Sequence, residues 1–302
     1  MSVQNFLLKQ YLRLHYKPRL NEQLTLQEAR AEQDRVIERF LPLASIGVDI
    51  ERTTLGGIEC EYVLPRHRRP QARMLYLHGG MFSMGSPLSH RGITQVLAKR
   101  LQLQVVVPQY RLAPEAPCPA AHDDVTTVYR ALRAELEPGT PCYVAGDQAG
   151  ACLAFQLAQR QVEERGPVPD ALIAISGLYD LTLSGPSLEF NAEADCFATR
   201  LAFERALDLY LGPEGETDRR ACSPLFGELS GLPPVLLQVS DSEMLLDDSR
   251  RMAVALEAAG VAVELDIWKD VPSCWHLGAV ALPEGREAID RMAGFLKELS
   301  VN

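Results

Sequence analysis

Short apolar runs alternate with amphipathic helical patterns along most of the chain. Runs at 46–53, 58–63, 73–77, 104–108, 141–145, 171–175, 235–239 and 261–267 read as strands. Helical spacing marks 89–100, 120–136, 149–165, 247–259 and 283–299. Several strand runs, such as Met74-Leu75-Tyr76-Leu77 and Val105-Val106-Val107, are continuously apolar, as expected when helices cover both faces of a parallel sheet. Strand–helix alternation predicts an open α/β sheet whose functional groups lie beyond the carboxyl ends of the strands.

Two stretches break the alternation. Residues 1–40 read as two amphipathic helices. The first carries Phe6, Leu7, Tyr11 and Leu14 with Lys9, Arg13, Lys17 and Arg19 between them. The second starts at Thr25, an N-cap with Glu28 three residues later, and runs to about Phe40. The apolar stripe of the first is expected to face its own protein, with a membrane surface as the alternative. Residues 181–232 hold a helical Thr199–Leu211 and a turn-rich Gly212–Gly215 and read as an insertion over the sheet.

Composition narrows the function classes. The 302 residues are 47% hydrophobic and 23% charged, an ordinary globular balance, and the net charge of -10 argues against a nucleic-acid groove, which needs a basic face. No apolar run approaches the ~18 residues of a membrane span, and the first residues lack the pattern of a signal peptide. Seven cysteines, at 60, 118, 142, 152, 196, 222 and 274, are odd in number and irregularly spaced with no CxxC. They are expected to be buried free thiols in a reducing cytoplasm rather than disulfides or zinc ligands.

The candidate chemistry begins after the third strand run. Leu77-His78-Gly79-Gly80-Met81-Phe82 places two glycines where backbone N–H groups can be aimed at a developing oxyanion. Tyr110-Arg111-Leu112-Ala113-Pro114-Glu115-Ala116-Pro117 and Pro119-Ala120-Ala121 follow. With these motifs the chain resembles the hormone-sensitive-lipase-like branch of the α/β-hydrolases, the bacterial carboxylesterases. The resemblance runs nearly the whole length and includes Ser223-Pro224-Leu225 and Gly231-Leu232-Pro233-Pro234. It implies that Gly79 and Gly80, with Ala149 further on, form the oxyanion hole, that His78 is structural, and that the Tyr110–Glu115 signature is structural. The family's third glycine is Met81 here.

Cys142-Tyr143-Val144-Ala145, then Gly146-Asp147-Gln148-Ala149-Gly150 and a helix, gives the strand–turn–helix context of a nucleophile elbow. The family pattern is Gly-Asp-Ser-Ala-Gly, so Gln148 stands at the nucleophile position. A glutamine amide has no proton that a histidine can remove at accessible pKa and cannot form an acyl-enzyme. Its carbonyl can accept and its NH2 can donate. Substitute nucleophiles are weak. Cys152 is one helical turn on and expected in the core, Cys274 lies two residues before His276 without an evident base, and Ser83 and Ser86 fit turn chemistry.

After the run Val235–Val239 comes Ser240-Asp241-Ser242-Glu243-Met244-Leu245. Matching Leu245 to the leucine of the family's Asp-Pro-Leu puts Glu243 at the acid position, with Asp241 as the alternative acid. Trp275-His276-Leu277-Gly278 follows the last strand, so the order elbow, acid, histidine is that of α/β-hydrolases and makes His276 the expected base.

The expected fold is one α/β-hydrolase domain over 1–302: a central, mostly parallel eight-stranded sheet, helices on both faces, and a helical cap from about 1–40 and 181–220. The resemblance implies a short-chain carboxylic-ester hydrolase with no metal and no organic cofactor, and the cysteine pattern adds the expectation of a cytoplasmic setting. Its ligand is an ester-like small molecule, with no nucleic acid, no membrane span, and a homodimer as a compatible assembly. Gln148 opens two alternatives: a catalytically silent binding or regulatory protein, and a non-hydrolytic enzyme in which His276 and Glu243 do acid–base work.

Overall fold

The computed structural model describes residues 1–21, 26–31, 47–66, 70–212 and 218–299. Eight strands form one sheet in the order β1-β2-β4-β3-β5-β6-β7-β8. They are β1 (Val48–Leu55), β2 (Ile58–Pro65), β3 (Arg73–Leu77), β4 (Gln104–Pro108), β5 (Cys142–Asp147), β6 (Ala171–Ile175), β7 (Val235–Ser240) and β8 (Val263–Trp268). The β1–β2 and β2–β4 pairs are antiparallel and every later pair is parallel. The eight-stranded, mostly parallel sheet expected from the apolar runs is therefore present, with each predicted strand displaced by no more than a few residues.

The apolar runs have a simple cause. Successive side chains of a strand point to opposite faces, and here both faces are covered. Leu75 and Leu77 of β3, Val144 of β5 and Leu237 of β7 enter one core. That core is shared with α3 (Ala120–Glu135), α4 (Ala149–Glu163) and α7 (Leu246–Ala258). Met74 and Tyr76 of β3, Ala145 of β5 and Leu236 of β7 enter the other, shared with α2 (Arg91–Leu101) and α8 (Pro283–Leu299). A third, small cluster of Val271, Trp275, Leu282 and Ala288 takes in Leu8 of α1 (Val3–Tyr11) and Trp268.

Between β6 and β7 lie α5 (Ser187–Phe190) and α6 (Arg200–Leu211). Tyr210 of α6 stacks on Phe82 at 3.9 Å, so this segment lies over the glycine loop that follows β3. Of the second N-terminal helix, 26–31 is helical, while Thr25 and 32–40 lie outside the described residues, as do 213–215 of the turn-rich stretch. Arg30 ties this helical piece to the sheet layer: it donates to the Ser83 and Ala113 carbonyls at 2.7 and 2.8 Å and pairs with Glu115 at 2.7 Å. The first helix departs from expectation. Its Leu8 and Leu12 face the protein, but Phe6, Leu7, Tyr11 and Leu14 are exposed, so the apolar residues form two opposite stripes and not one inward face.

The glycines around residue 148 set how closely α4 approaches β3. A Cβ on Gly150 would overlap the Leu77 carbonyl, and one on Gly146 would press on the Gly150 backbone at 2.5 Å. Gly150→Ala should therefore destabilise the chain by about 1–3 kcal/mol or more through overpacking. Gly294→Ala, in α8 where nothing lies within 4 Å, should stabilise it by about 0.5–1 kcal/mol through helix propensity. Urea unfolding of both variants checks this; a stable Gly150→Ala protein would mean that the elbow is not sterically set.

Candidate active site

The carboxyl ends of β3, β5, β6, β7 and β8 converge on one place, where an open α/β sheet puts its ligands. Residue 148 sits between β5 and α4 with φ 49° and ψ -110°, a sharp left-handed conformation that costs a non-glycine residue strain. Its N–H donates to the Ile175 carbonyl at 2.9 Å. The conformation throws the side chain forward, away from both elements and toward the glycine loop.

There the Gln148 side chain finds two partners. Its Oε1 accepts from the backbone N–H of Met81 at 3.2 Å and of Gly80 at 3.4 Å. Of the expected donors Gly79 and Gly80, Gly80 thus meets this side chain, together with Met81. The Gly79 N–H donates instead to the Asp147 carboxylate at 3.0 Å, and Met81, at the place of the family's third glycine, presents its amide with φ 53°. Ala149 is fully buried as the first residue of α4. Gln148 Nε2 is buried and has no hydrogen-bond partner.

Asp147 holds this loop to the elbow. Its carboxylate accepts from Tyr76 Oη at 2.7 Å and lies 3.4 Å from His90 Nε2. Burial pushes its pKa up, but His90 and Tyr76 outweigh burial and hold the group below the usual carboxylate range. His78 stacks on Tyr110 at 4.1 Å, and the Tyr110 hydroxyl donates to the His78 carbonyl at 2.5 Å. Burial lowers the His78 pKa to about 3, so its ring is a neutral spacer. The rest of the signature segment is tied down as well: Arg111 clamps Asp124 of α3 at 2.6 Å. Ser86 and Ser89 exchange turn hydrogen bonds, and Ser83 supplies its carbonyl to Arg30.

The acid and the histidine do not meet. Glu243 is fully buried; its Oε2 accepts from Ser176 Oγ at 2.8 Å and its Oε1 has no formed hydrogen bond. Burial and then the neighbouring Asp195 push its pKa up to about 8, with Ser176 and Ser273 hydroxyls opposing the rise. Asn191 positions the loop by donating to the Glu243 carbonyl at 2.8 Å. The alternative acid, Asp241, is exposed and receives the Asp270 N–H at 2.8 Å.

His276 lies in a short 3-10 turn, Trp275–Gly278. Its Nε2 stands 2.9 Å from Gln238 Oε1. The Gln238 amide NH2 is committed to Asp266 at 3.0 Å and to the Ala288 carbonyl at 3.1 Å, so its oxygen faces the ring and His276 carries its proton on Nε2. Nδ1 has no partner. Burial lowers the His276 pKa to about 3, and the ring is neutral across the physiological range. No Glu243–His276 hydrogen bond forms in this geometry: Gln238, a residue with no motif around it, holds the His276 ring, while Glu243 takes Ser176.

The side chain that the last loop does present to Glu243 is Ser273. Its hydroxyl is close enough to favour the charged carboxylate, and the next N–H, of Cys274, donates at 3.0 Å to the Ser176 hydroxyl that binds Glu243. Ser273 has no signal in the sequence, since a loop serine does not stand out beside a loop histidine three residues on. Cys274 is buried, and burial raises its thiol well above the ordinary value, with Asp147 and Glu243 adding to the rise, which opposes a thiolate nucleophile. Cys152 is in the core, and all seven cysteines are unpaired. No group of three or more metal-ligating side chains occurs among the described residues.

Comparison with known proteins agrees with this architecture. A family model described as alpha/beta hydrolase fold matches residues 74–277. An acetyl-hydrolase of Streptomyces hygroscopicus is 35% identical over 296 residues, covering 96% of this chain and 95% of that protein. An esterase of Acinetobacter venetianus is 34% identical over 255 residues, covering 84% of each. A solved esterase of the bacterial hormone-sensitive lipase family superposes with a TM-score of 0.91 at 31% identity, with 99% of both chains covered. With the sheet order, the elbow and these relatives in agreement, the chain belongs to the α/β-hydrolase fold family, among its hormone-sensitive-lipase-like esterase-type hydrolases.

Proposed function

We propose that this protein is a carboxylic-ester hydrolase scaffold for short acyl esters that, with Gln148 at the nucleophile position, does not run the acyl-enzyme reaction. The carrying observation is that Gln148 Oε1 accepts from the Gly80 and Met81 amides, the place an ester's oxyanion would take. The relatives named esterase and acetyl-hydrolase support the ester class. The amide has no transferable proton, and its oxygen competes with a substrate carbonyl for the same two donors. A cap formed from the N-terminal helices and the β6–β7 segment would limit acyl length, since Tyr210 packs on Phe82 of the oxyanion loop. The seven free thiols fit a reducing, cytoplasmic setting. The acid–base alternative has less support, because His276 is held by Gln238 and its pKa lies near 3.

The missing base leads to a specific expectation. Gln148→Ser alone should stay near the parent's rate on p-nitrophenyl acetate and should resist a fluorophosphonate probe, because no histidine faces the new hydroxyl. Adding Ser273→His should raise hydrolysis on the order of 10²–10³-fold over the single variant and should restore labelling at residue 148. Robust activity in Gln148→Ser that a further His276→Ala change abolishes would return His276 to the base position.

The electrostatics give a second expectation. Glu243 has a folded pKa of about 8 against 4.5 for the ordinary group, so folding favours its protonated form. Stability from this group is complete below pH 4.5 and falls as pH rises through 8. Asp248, raised by burial to about 7, acts in the same direction. Burial lowers His276 and His78 to about 3, so they act oppositely, costing stability as pH falls below 6.5 toward 3. Glu243→Gln should therefore gain thermal stability relative to the parent as pH rises from 5 to 8, read as the difference in Tm. A difference independent of pH would mean that Glu243 keeps the same charge folded and unfolded.

A further inference from the structure

The first helix carries an unpartnered apolar ridge. Met1, Val3, Phe6, Leu7, Tyr11 and Leu14 are each at least half exposed, between 50% and 75%. They make up six of the eleven exposed large apolar side chains among the described residues; the other five are scattered. Val3, Leu7, Tyr11 and Leu14 recur at helical spacing along one side.

The opposite side of the same helix is fastened. The Ser2 N–H and hydroxyl donate to the Glu284 carboxylate at 2.6 and 2.8 Å. Asn5, fully buried, donates to the Asp270 carbonyl at 3.0 Å, and Lys9 pairs with the Asp270 carboxylate. Leu8 joins the cluster of Trp275 and Leu282. Lys17 closes the far end on the Ala192 carbonyl at 2.7 Å. These ties fix the helix with its ridge outward, and they do so on the loop that leads from Asp270 to Ser273 and Glu243's surroundings.

Charge selects the occupant. The first 20 residues contain Lys9, Arg13, Lys17 and Arg19 and no acidic side chain, in a chain whose net charge is -10. Arg13 is exposed beside the ridge. A second copy docked through a two-fold axis would bring this basic ridge against itself. An anionic lipid surface complements it: apolar side chains enter the acyl boundary while Arg13 meets headgroup phosphates. We propose that the N-terminal helix docks the protein in the plane of an anionic lipid–water interface, through Phe6, Leu7, Tyr11 and Leu14 with Arg13 at the headgroups. No helix among the described residues is long and apolar enough to span the bilayer, so the contact is interfacial. The inference is independent of whether residue 148 supports catalysis.

The test is co-sedimentation of the full chain with phosphatidylcholine vesicles and with phosphatidylcholine–phosphatidylglycerol vesicles. Binding should be stronger to the mixed vesicles by about tenfold or more and should weaken with added salt. Phe6→Ser with Leu7→Ser, at exposed positions, should leave the circular dichroism and Tm unchanged and reduce pelleting by about tenfold or more. Arg13→Glu should remove most of the preference for the mixed vesicles. Equal pelleting of parent and double variant, or none by the parent, overturns the proposal. So does a dimer in sedimentation velocity that the double variant dissociates, since the ridge would then belong to a second copy.

Discussion

Residue 148 is held at positive φ between the last residue of a strand, Asp147, and the first residue of a helix, Ala149, and the site's geometry follows from that constraint. Gly146 and Gly150 permit the approach because a Cβ at either would overlap backbone. Asp147 then bridges the elbow to β3 and the glycine loop through Tyr76 and Gly79. With both sides fixed, the side chain at 148 is delivered to the Gly80 and Met81 amides. A serine oxygen there would stop short and leave those donors for substrate. Glutamine is long enough to reach them, and its own carbonyl takes the position.

The electrostatics around the acid fit a site without a charged base. A buried carboxylate is stabilised when an imidazolium or several N–H donors face it. Glu243 has two hydroxyls and an acidic neighbour, Asp195, so burial dominates and its pKa rises to about 8. His276 has an amide-oxygen partner in Gln238, and the opposing pull of Asp147 is the smaller effect, so burial dominates there too and its pKa falls to about 3. Burial thus favours the uncharged form of both groups, and each has its own hydrogen-bond partner, Ser176 for Glu243 and Gln238 for His276. Two neutral, separated groups cannot perform the proton relay that a serine hydrolase requires.

The sheet and the elbow were legible in the sequence because their signals are local. Val105-Val106-Val107 or Met74-Leu75-Tyr76-Leu77 can only be buried on both faces, and Gly146 to Gly150 marks its own turn. The two faces of the first helix were less legible: Leu8 and Leu12 share an apolar stripe pattern with Phe6, Leu7, Tyr11 and Leu14, and only the ties of Ser2, Asn5 and Lys9 decide which side is covered. The last loop misled for a related reason. Chain order brings a histidine to the right neighbourhood, but the direction of its ring depends on Gln238, 38 residues away, whose amide is oriented by Asp266 and Ala288. Nor does spacing along the chain indicate that Ser273, three residues earlier, faces Glu243.

The most direct test of the central claim, that the Gln148 amide fills the oxyanion donors, is calorimetric titration of a short-chain carboxylate such as butyrate into the parent and Gln148→Ala proteins. The carboxylate presents an anionic oxygen to the Gly80 and Met81 N–H groups and needs no nucleophile. If the amide occupies them, truncating it should tighten butyrate binding by about tenfold, the worth of about 1.4 kcal/mol. Equal or weaker binding by Gln148→Ala would contradict the account, since the donors would then have been open all along or never aimed at the ligand.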